Sequence, residues 1–312
     1  MKFNRKSIFI LSFSCLLLWG SALSLRALHL QHAPLKGASS RFLVIQLNVG
    51  QGDGLLMISP DRQVTLVDAG PVLKTGSINW DAGIKVILPL LKGLGLEKID
   101  RIILTHHDWD HLGGILSLVE HIPVSKVFHN GRVQLTQTYR ELLYRLKKHQ
   151  IPLETLGEGD EINLGDHVSA QVLSPEKGEG LDGNNDSLVL RVCFGKFKIL
   201  LTGDIEGPAE RNLCLHYGAG LSCNYLKSPH HGSKTSSTSP FLRLVHPSMV
   251  GISVGHANSY GHPSPIVLKR YKELNTEVHR TDEDGSLLFI SNGSECFFAT
   301  ENGQIERVSI ET

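Results

Sequence analysis

The stretch LTHHDWDHLGG, Leu104 to Gly114, limits what this chain can be more than any other. Three histidines and two aspartates fall within the six residues His106 to His111. An apolar run, RIIL, leads into them, and a helix-like HLGGILSLVEHI follows. Imidazole and carboxylate both offer lone pairs to a divalent cation, and the carboxylate adds charge. Residues two apart in an extended segment face the same way. His106, Asp108 and Asp110 are therefore expected to point from a strand end into one cavity, with His111 opening the helix and Gly113-Gly114 keeping its start clear. A polar helix cap with surface histidines is the plainer alternative, but four ligand-type residues at this spacing exceed what a cap needs.

The 312-residue chain is long enough for a large core, and its 41% apolar and 20% charged residues read as globular. Lys plus Arg equals Asp plus Glu at 31 each, so composition points to no polyanion partner, although a neutral total can hide a basic patch. The N-terminus differs. MKFNRK precedes an uncharged apolar run, Ile8 to Leu25, closed by Arg26. That run lies between a signal-peptide core of about 7–15 residues and a spanning helix of about 20. Residues 1–26 read as a signal or membrane anchor that exports the body, with a core helix as the remaining alternative. The body would then be periplasmic or extracellular, tethered to the membrane or released. Residues 27–40 read as a linker and 41–312 as one α/β domain. Five cysteines show no C-x-x-C spacing; Cys214 and Cys223 are close enough to bridge, but free thiols are the preferred reading.

Strand-like runs occur at Phe42–Val49, LLMIS, VTLVD, Val124–Phe128, Val168–Leu173, Ser187–Phe194, Lys198–Leu201, Val250–Val254 and Ser286–Ile290. Helical patterns cover Asp81–Leu96 (with Pro89 expected to kink it), Thr136–His149, Pro208–His216 and Ile266–Leu274. Further donors stand at apparent strand ends: Asp68 after VTLV, Asp204 after KILLTG, His230 and His231 after NYLKSP, and His262 in NSYGHPS. Each alone reads first as a cap or turn residue. Together with the opening motif they supply enough donors for two metals. The GQGDG loop, with Gln51 and Asp53, is a tight turn or a loop that approaches substrate. Ser233, Lys234 and Thr235 form a helix cap or a phosphate-binding segment. Trp109 packs, or stacks on a base.

As a set these motifs resemble the metallo-β-lactamase superfamily, in particular the metallo-hydrolase domain of the ComEC/Rec competence proteins. The matching segments are Asn48–Asp53, Leu66–Gly70, Thr105–Gly114, Asn185–Leu190, Leu200–Asp204, Pro229–Ser236, Tyr260–Pro263 and Arg280–Gly285, across residues 42–292. The resemblance implies an αββα sandwich, two mixed sheets with outer helices, and two divalent ions at one edge. It implies His106, Asp108, Asp110, His111, Asp204, His230 and His262 as metal ligands, with His231 an alternative to His230. Asp204 matches the bridging aspartate and Asp68 a supporting acid. Asn185 falls where many members carry a histidine ligand, which opens the first metal site. Asp108 replaces the second histidine of H-x-H-x-D-H, and Asn48 replaces the aspartate of DVGQGD. The extra oxygen donor suits Mn²⁺ or Mg²⁺, with Zn²⁺ as the alternative.

Two cations would activate a water and neutralise a phosphodiester, so no covalent nucleophile is required. Asp110 and His231 are the expected catalytic residues, with His230 or His231 placed to protonate the leaving group. The resemblance implies a phosphodiesterase or nuclease, acting on DNA or another phosphodiester and linked to DNA uptake. Hydrolysis of a lactone, β-lactam or small phosphodiester on the same fold, and a non-catalytic domain that binds DNA or a partner, are the alternatives.

Overall fold

The computed structural model describes residues 23–27, 29, 40–75, 78–178, 181, 183–301, 303 and 305–310. Most of the expected N-terminal anchor and linker lies outside these residues. Residues 23–27 are helical, and Leu23 and Ala27 are buried in the core. Among the described residues no helix is long and apolar enough to cross a membrane.

Runs such as GLLMI and MVGI are apolar at every position because their strands are covered on both faces. Among the described residues, eighteen strands form. They are β1 (Phe42–Gln46), β2 (Gly54–Ile58), β3 (Val64–Ala69), β4 (Val72–Thr75), β5 (Ile78–Asp81) and β6 (Arg101–Ile103). Next come β7 (Val127–His129), β8 (Leu153–Thr155), β9 (Glu161–Gly165), β10 (Val168–Ser174), β11 (Val189–Phe194) and β12 (Phe197–Leu201). The last are β13 (Tyr225–Lys227), β14 (Met249–Ile252), β15 (Glu277–Arg280), β16 (Leu287–Ser291), β17 (Cys296–Thr300) and β18 (Ile305–Val308).

One sheet runs β18-β17-β16-β1-β2-β3-β6-β7-β8, the other β15-β14-β13-β12-β11-β10-β9, and β4-β5 is a separate hairpin. Both sheets are mixed. In the first, β3, β6, β7 and β8 are parallel; in the second, β12 to β15 are. Alternate residues of each strand serve different cores, as the two-residue period requires. Phe42 and Val44 of β1 face the other sheet, where they join Leu190, Val192, Ile199 and Tyr225. Leu43 and Ile45 face the opposite way, toward α1 (Leu88–Gly93), α2 (Trp109–His121) and α3 (Gln137–Lys148). Leu200, Leu226 and Val250 of the second sheet pack outward on α4 (Gly207–Tyr217), α5 (Ser239–Val245) and α6 (Pro265–Glu273). The result is the layered order helix, sheet, sheet, helix.

The expected kink at Pro89 takes a specific form. A π-helical turn, Gly83–Ile87, precedes α1, and Pro89 sits in the first turn, where its missing N–H removes no helical bond. Cys193, Cys214, Cys223 and Cys296 are free thiols.

Candidate metal centre

The first sheet delivers its ligands from the C-terminal end of β6. The extended segment expected through Asp110 is shorter than the spacing suggested: α2 begins at Trp109, and Asp108 is its N-cap with φ −69° and ψ 147°. Asp110 and His111 therefore point from a helical first turn, not from a strand end. The Asp108 carboxylate forms no capping bond to the helix; it lies instead 3.6 Å from His106 Nε2, at the exposed rim. Gly114 is where α2 meets β3: a Cβ there would lie 2.1 Å from the Ala69 carbonyl oxygen.

The second sheet contributes Asp204 after β12 and the pair His230 and His231 after β13. Both histidines adopt left-handed backbone conformations, φ 49° and 53°. Such residues are uncommon, and strain of this kind clusters at functional sites. The turn sends His231 inward and leaves His230 at the rim.

Three imidazoles are oriented in the same way. His111 Nδ1 donates to Asp68 Oδ2 at 2.8 Å. His231 Nδ1 donates to the Ser253 carbonyl at 2.9 Å. Thr105 gives its hydroxyl proton to Asp68 Oδ2 at 2.7 Å, so it accepts from His106 Nδ1 at 3.1 Å. Each Nε2 is thus the nitrogen turned toward the centre, where a proton or a metal ion can take its lone pair, which is the usual arrangement of a metal-binding histidine. The Nε2 atoms of His106, His111 and His231 are all buried and without a hydrogen-bond partner. His111 Nε2 lies 3.3 Å and His231 Nε2 3.2 Å from Asp204 Oδ2, and His231 Nε2 lies 3.4 Å from Asp110 Oδ2.

Two overlapping ligand triads arise in this way, His106–His111–Asp204 and Asp110–His111–His231; they share the Nε2 of His111, which can ligate one ion only. The charges fit the same reading. Five carboxylates (Asp53, Asp68, Asp108, Asp110 and Asp204) approach these imidazoles at 2.8–3.6 Å, and one ammonium, Lys227, lies among them. With neutral imidazoles, five minus one leaves four negative charges, which two divalent cations would balance. The residues present therefore fit a pair of divalent ions.

The field is strong enough to move protons. Burial disfavours charge on His111, but Asp204 and Asp68 outweigh it and hold the imidazole well above its ordinary value. His231 is raised in the same way against burial by Asp204 and Asp53. Burial alone would raise the Asp204 carboxyl, yet His231 and His111 keep it well below the usual range. Farther out, burial first, then His231 and His230, pulls His262 down to about 4.

The other expected residues are placed as follows. His230 lies at the rim, with Nδ1 3.2 Å from Glu206 Oε1 and Nε2 4.0 Å from Asp204. His262 stands beyond it, ring centroids 5.8 Å apart, outside both triads. Asn185 accepts from the N–H groups of Glu206 and Ala209, which caps α4, so its side chain serves a helix end. Gln51 accepts from the Gly255 N–H. Asp53 is buried against Lys227 and His231, so it offers substrate no surface. Ser233 shares its hydroxyl with Thr235, which donates to Glu206, while Lys234 is exposed.

Lys227, Thr105 and Ser253 were not singled out from the sequence. Lys227 occurs in an ordinary strand, and nothing in NYLKSP marks it as buried beside carboxylates. Thr105 could have been found, because a hydroxyl next to a ligand histidine is a natural relay to a second acid.

The sequence profile of the metallo-beta-lactamase superfamily matches residues 47–256. The chain belongs to that superfamily. Its members are generally metal-dependent hydrolases, and this chain is a hydrolase of that fold with competence-protein relatives. It is 32% identical over 260 residues to ComE operon protein 3 of Bacillus subtilis, covering 80% of this chain and 33% of that one. It is 33% identical over 244 residues to competence protein ComA of Neisseria gonorrhoeae, covering 78% and 31%. The chain thus spans about a third of the length of these relatives. A solved structure of a mutant CmlA beta-hydroxylase is similar in fold, with TM-score 0.50 and 12% identity, over 79% of this chain and 53% of that one.

Proposed function

We propose that this chain is a metal-dependent phosphodiesterase acting as a nuclease, in a process linked to DNA uptake. The observation that carries the reading is the meeting of three partnerless Nε2 atoms with Asp110 and Asp204 at the junction of two sheets. Divalent ions held there would supply an activated water at neutral pH and neutralise the charge of a phosphodiester. The oxygen-rich donor set favours Mn²⁺ or Mg²⁺, with Zn²⁺ as the alternative.

The chain's own residues divide the remaining work. Asp68, Thr105 and Ser253 hold the three imidazoles in position. His231 is enclosed by carboxylates, so His230 is the histidine left to move a proton at the leaving oxygen, with Nδ1 on Glu206. Lys234, exposed beside this turn, is available to a phosphate oxygen. Trp109, 37% exposed in the ligand loop, offers a face for a base to stack on. The link to DNA uptake is taken from the relatives, among them the competence protein ComA.

The test is hydrolysis of bis-p-nitrophenyl phosphate, single-stranded DNA and a chromogenic β-lactam by the purified chain. Each is assayed with Mn²⁺, with Zn²⁺ and without metal, beside Asp110→Ala. Metal-dependent DNA or phosphodiester cleavage, lost in the variant, is expected. Turnover of the lactam alone would sink the nuclease reading.

A further inference from the structure

We propose that Lys227 is a built-in cation that fills a third cation position behind the metal centre, and so keeps the number of bound divalent ions at two. The inference rests on the metal-centre reading above. Asp53, Asp204 and His231 place ligand atoms within 4.8 Å of one another, a set that shares His231 with the Asp110–His111–His231 triad and adds the carboxylate of Asp53. All three are deeply buried, with exposures of 6%, 3% and 2%. Asp53 Oδ1 and Asp204 Oδ1 have no hydrogen-bond partner. Two buried carboxylates and a buried imidazole attract a positive charge, because unpaired buried charge is costly.

Lys227 provides that charge. Its ammonium bonds Asp53 Oδ2, donates to the Gly203 carbonyl at 3.2 Å and stands 3.7 Å from Asp204 Oδ1. The lysine is only 4% exposed, so its position is fixed by these partners rather than by solvent. A cavity of about 20 Å³ adjoins it, lined by Asp53, Asp68, Thr105, Gly203, Lys227 and Ser253 among others. That is room for one water-sized particle. A lysine ammonium is a compact point charge on a flexible stem, which makes it a fair stand-in for a small cation.

Two consequences follow for the centre. Asp53 is committed to the lysine and drops out as a metal ligand. Asp204 keeps Oδ1 toward the ammonium and presents Oδ2 to His111 and His231. Lys227 is therefore a positioning residue that separates the two ligand triads of the outer centre from the two that contain Asp53.

Metal content tests this without an activity assay. The full chain and Lys227→Ala are loaded with Mn²⁺, desalted and counted by elemental analysis and native mass spectrometry. Two ions per wild-type chain and three per variant are expected, with propylammonium returning the variant to two. Two ions in a folded Lys227→Ala would overturn the proposal. If that variant does not fold, Asp53→Asn decides. It frees the ammonium to compete for Asp204, and Mn²⁺ affinity by calorimetry is expected to fall about 10–100-fold; an unchanged affinity would overturn the proposal. A folded wild type that holds no divalent ion would overturn the metal-centre reading itself, and this inference with it.

Discussion

At the scale of single residues, the centre depends on where protons sit on three imidazoles. Asp68 Oδ2 serves two of them, His111 directly and His106 through the Thr105 hydroxyl. Thr105→Val keeps the shape and removes the relay, leaving His106 free to turn or change tautomer. Metal affinity by calorimetry is expected to fall about 10–100-fold, with Thr105→Ser restoring it. Equal affinities in Thr105→Val and wild type would show that the relay does not matter. His129 raises a different point. Burial depresses its pKa, and its Nδ1 has no partner. The unfolded chain protonates this histidine first, near pH 6.5, so the stability it contributes is present above that pH and is lost as pH falls toward the folded value. His129→Phe removes this dependence. Denaturant unfolding of the metal-free proteins should show wild type losing more stability than the variant between pH 7 and pH 5; identical losses would exclude the linkage. Which side chains converge was largely legible, because His106, Asp110 and His111 lie within six residues and Asp204 and His231 follow apolar strands. Lys227 was not, since burial of a lysine depends on partners, here Asp53, some 170 residues away.

At the scale of elements, period-two reasoning failed at one place with a physical cause. Asp108 reads as part of a strand, but it stands at the N-cap position of α2, in extended conformation, and the helix starts at Trp109 without a capping bond from its carboxylate. The neighbouring helix was easier to read: Thr136 caps α3 by accepting from the Tyr139 N–H, as its sequence suggests. Short strands such as β8 and β15 escape a reading of the sequence because three or four residues carry too little periodicity. The Gly113-Gly114 pair was read as clearing the helix start, and the contact explains it. Any Cβ on Gly114 meets the Ala69 carbonyl, so α2 can approach β3 only through glycine. Gly114→Ala is expected to cost about 1–3 kcal/mol by overpacking, and to shift the turn that carries Asp110 and His111. A urea titration measures the first effect and Mn²⁺ binding the second. A variant as stable as wild type with unaltered binding would mean that the helix yields at no cost.

At the scale of the whole molecule, the sandwich explains why the site needs both halves of the chain. The first sheet brings His106, Asp110 and His111 from beyond β6, and the second brings Asp204 and His231 from beyond β12 and β13. Motif order suggested a single α/β domain, but sequence could not say that the ligands would come from facing sheets, because strand order is set by long-range pairing. Ions bound at this seam would tie the sheets together in the folded state alone. Binding to the folded chain stabilises it by RT ln(1 + [L]/Kd), about 2.7 kcal/mol when free metal is 100 times Kd. For a domain of this size each kcal/mol moves Tm by about 2–4 °C. Thermal melting with saturating Mn²⁺ should therefore lie roughly 5–10 °C above melting in chelator, and Asp204→Asn should abolish most of the difference. A shift that survives in Asp204→Asn would place the stabilising ions elsewhere. Among the described residues the cluster of Glu158, Glu176 and His216, on the outside of the second half, would then be the place to look.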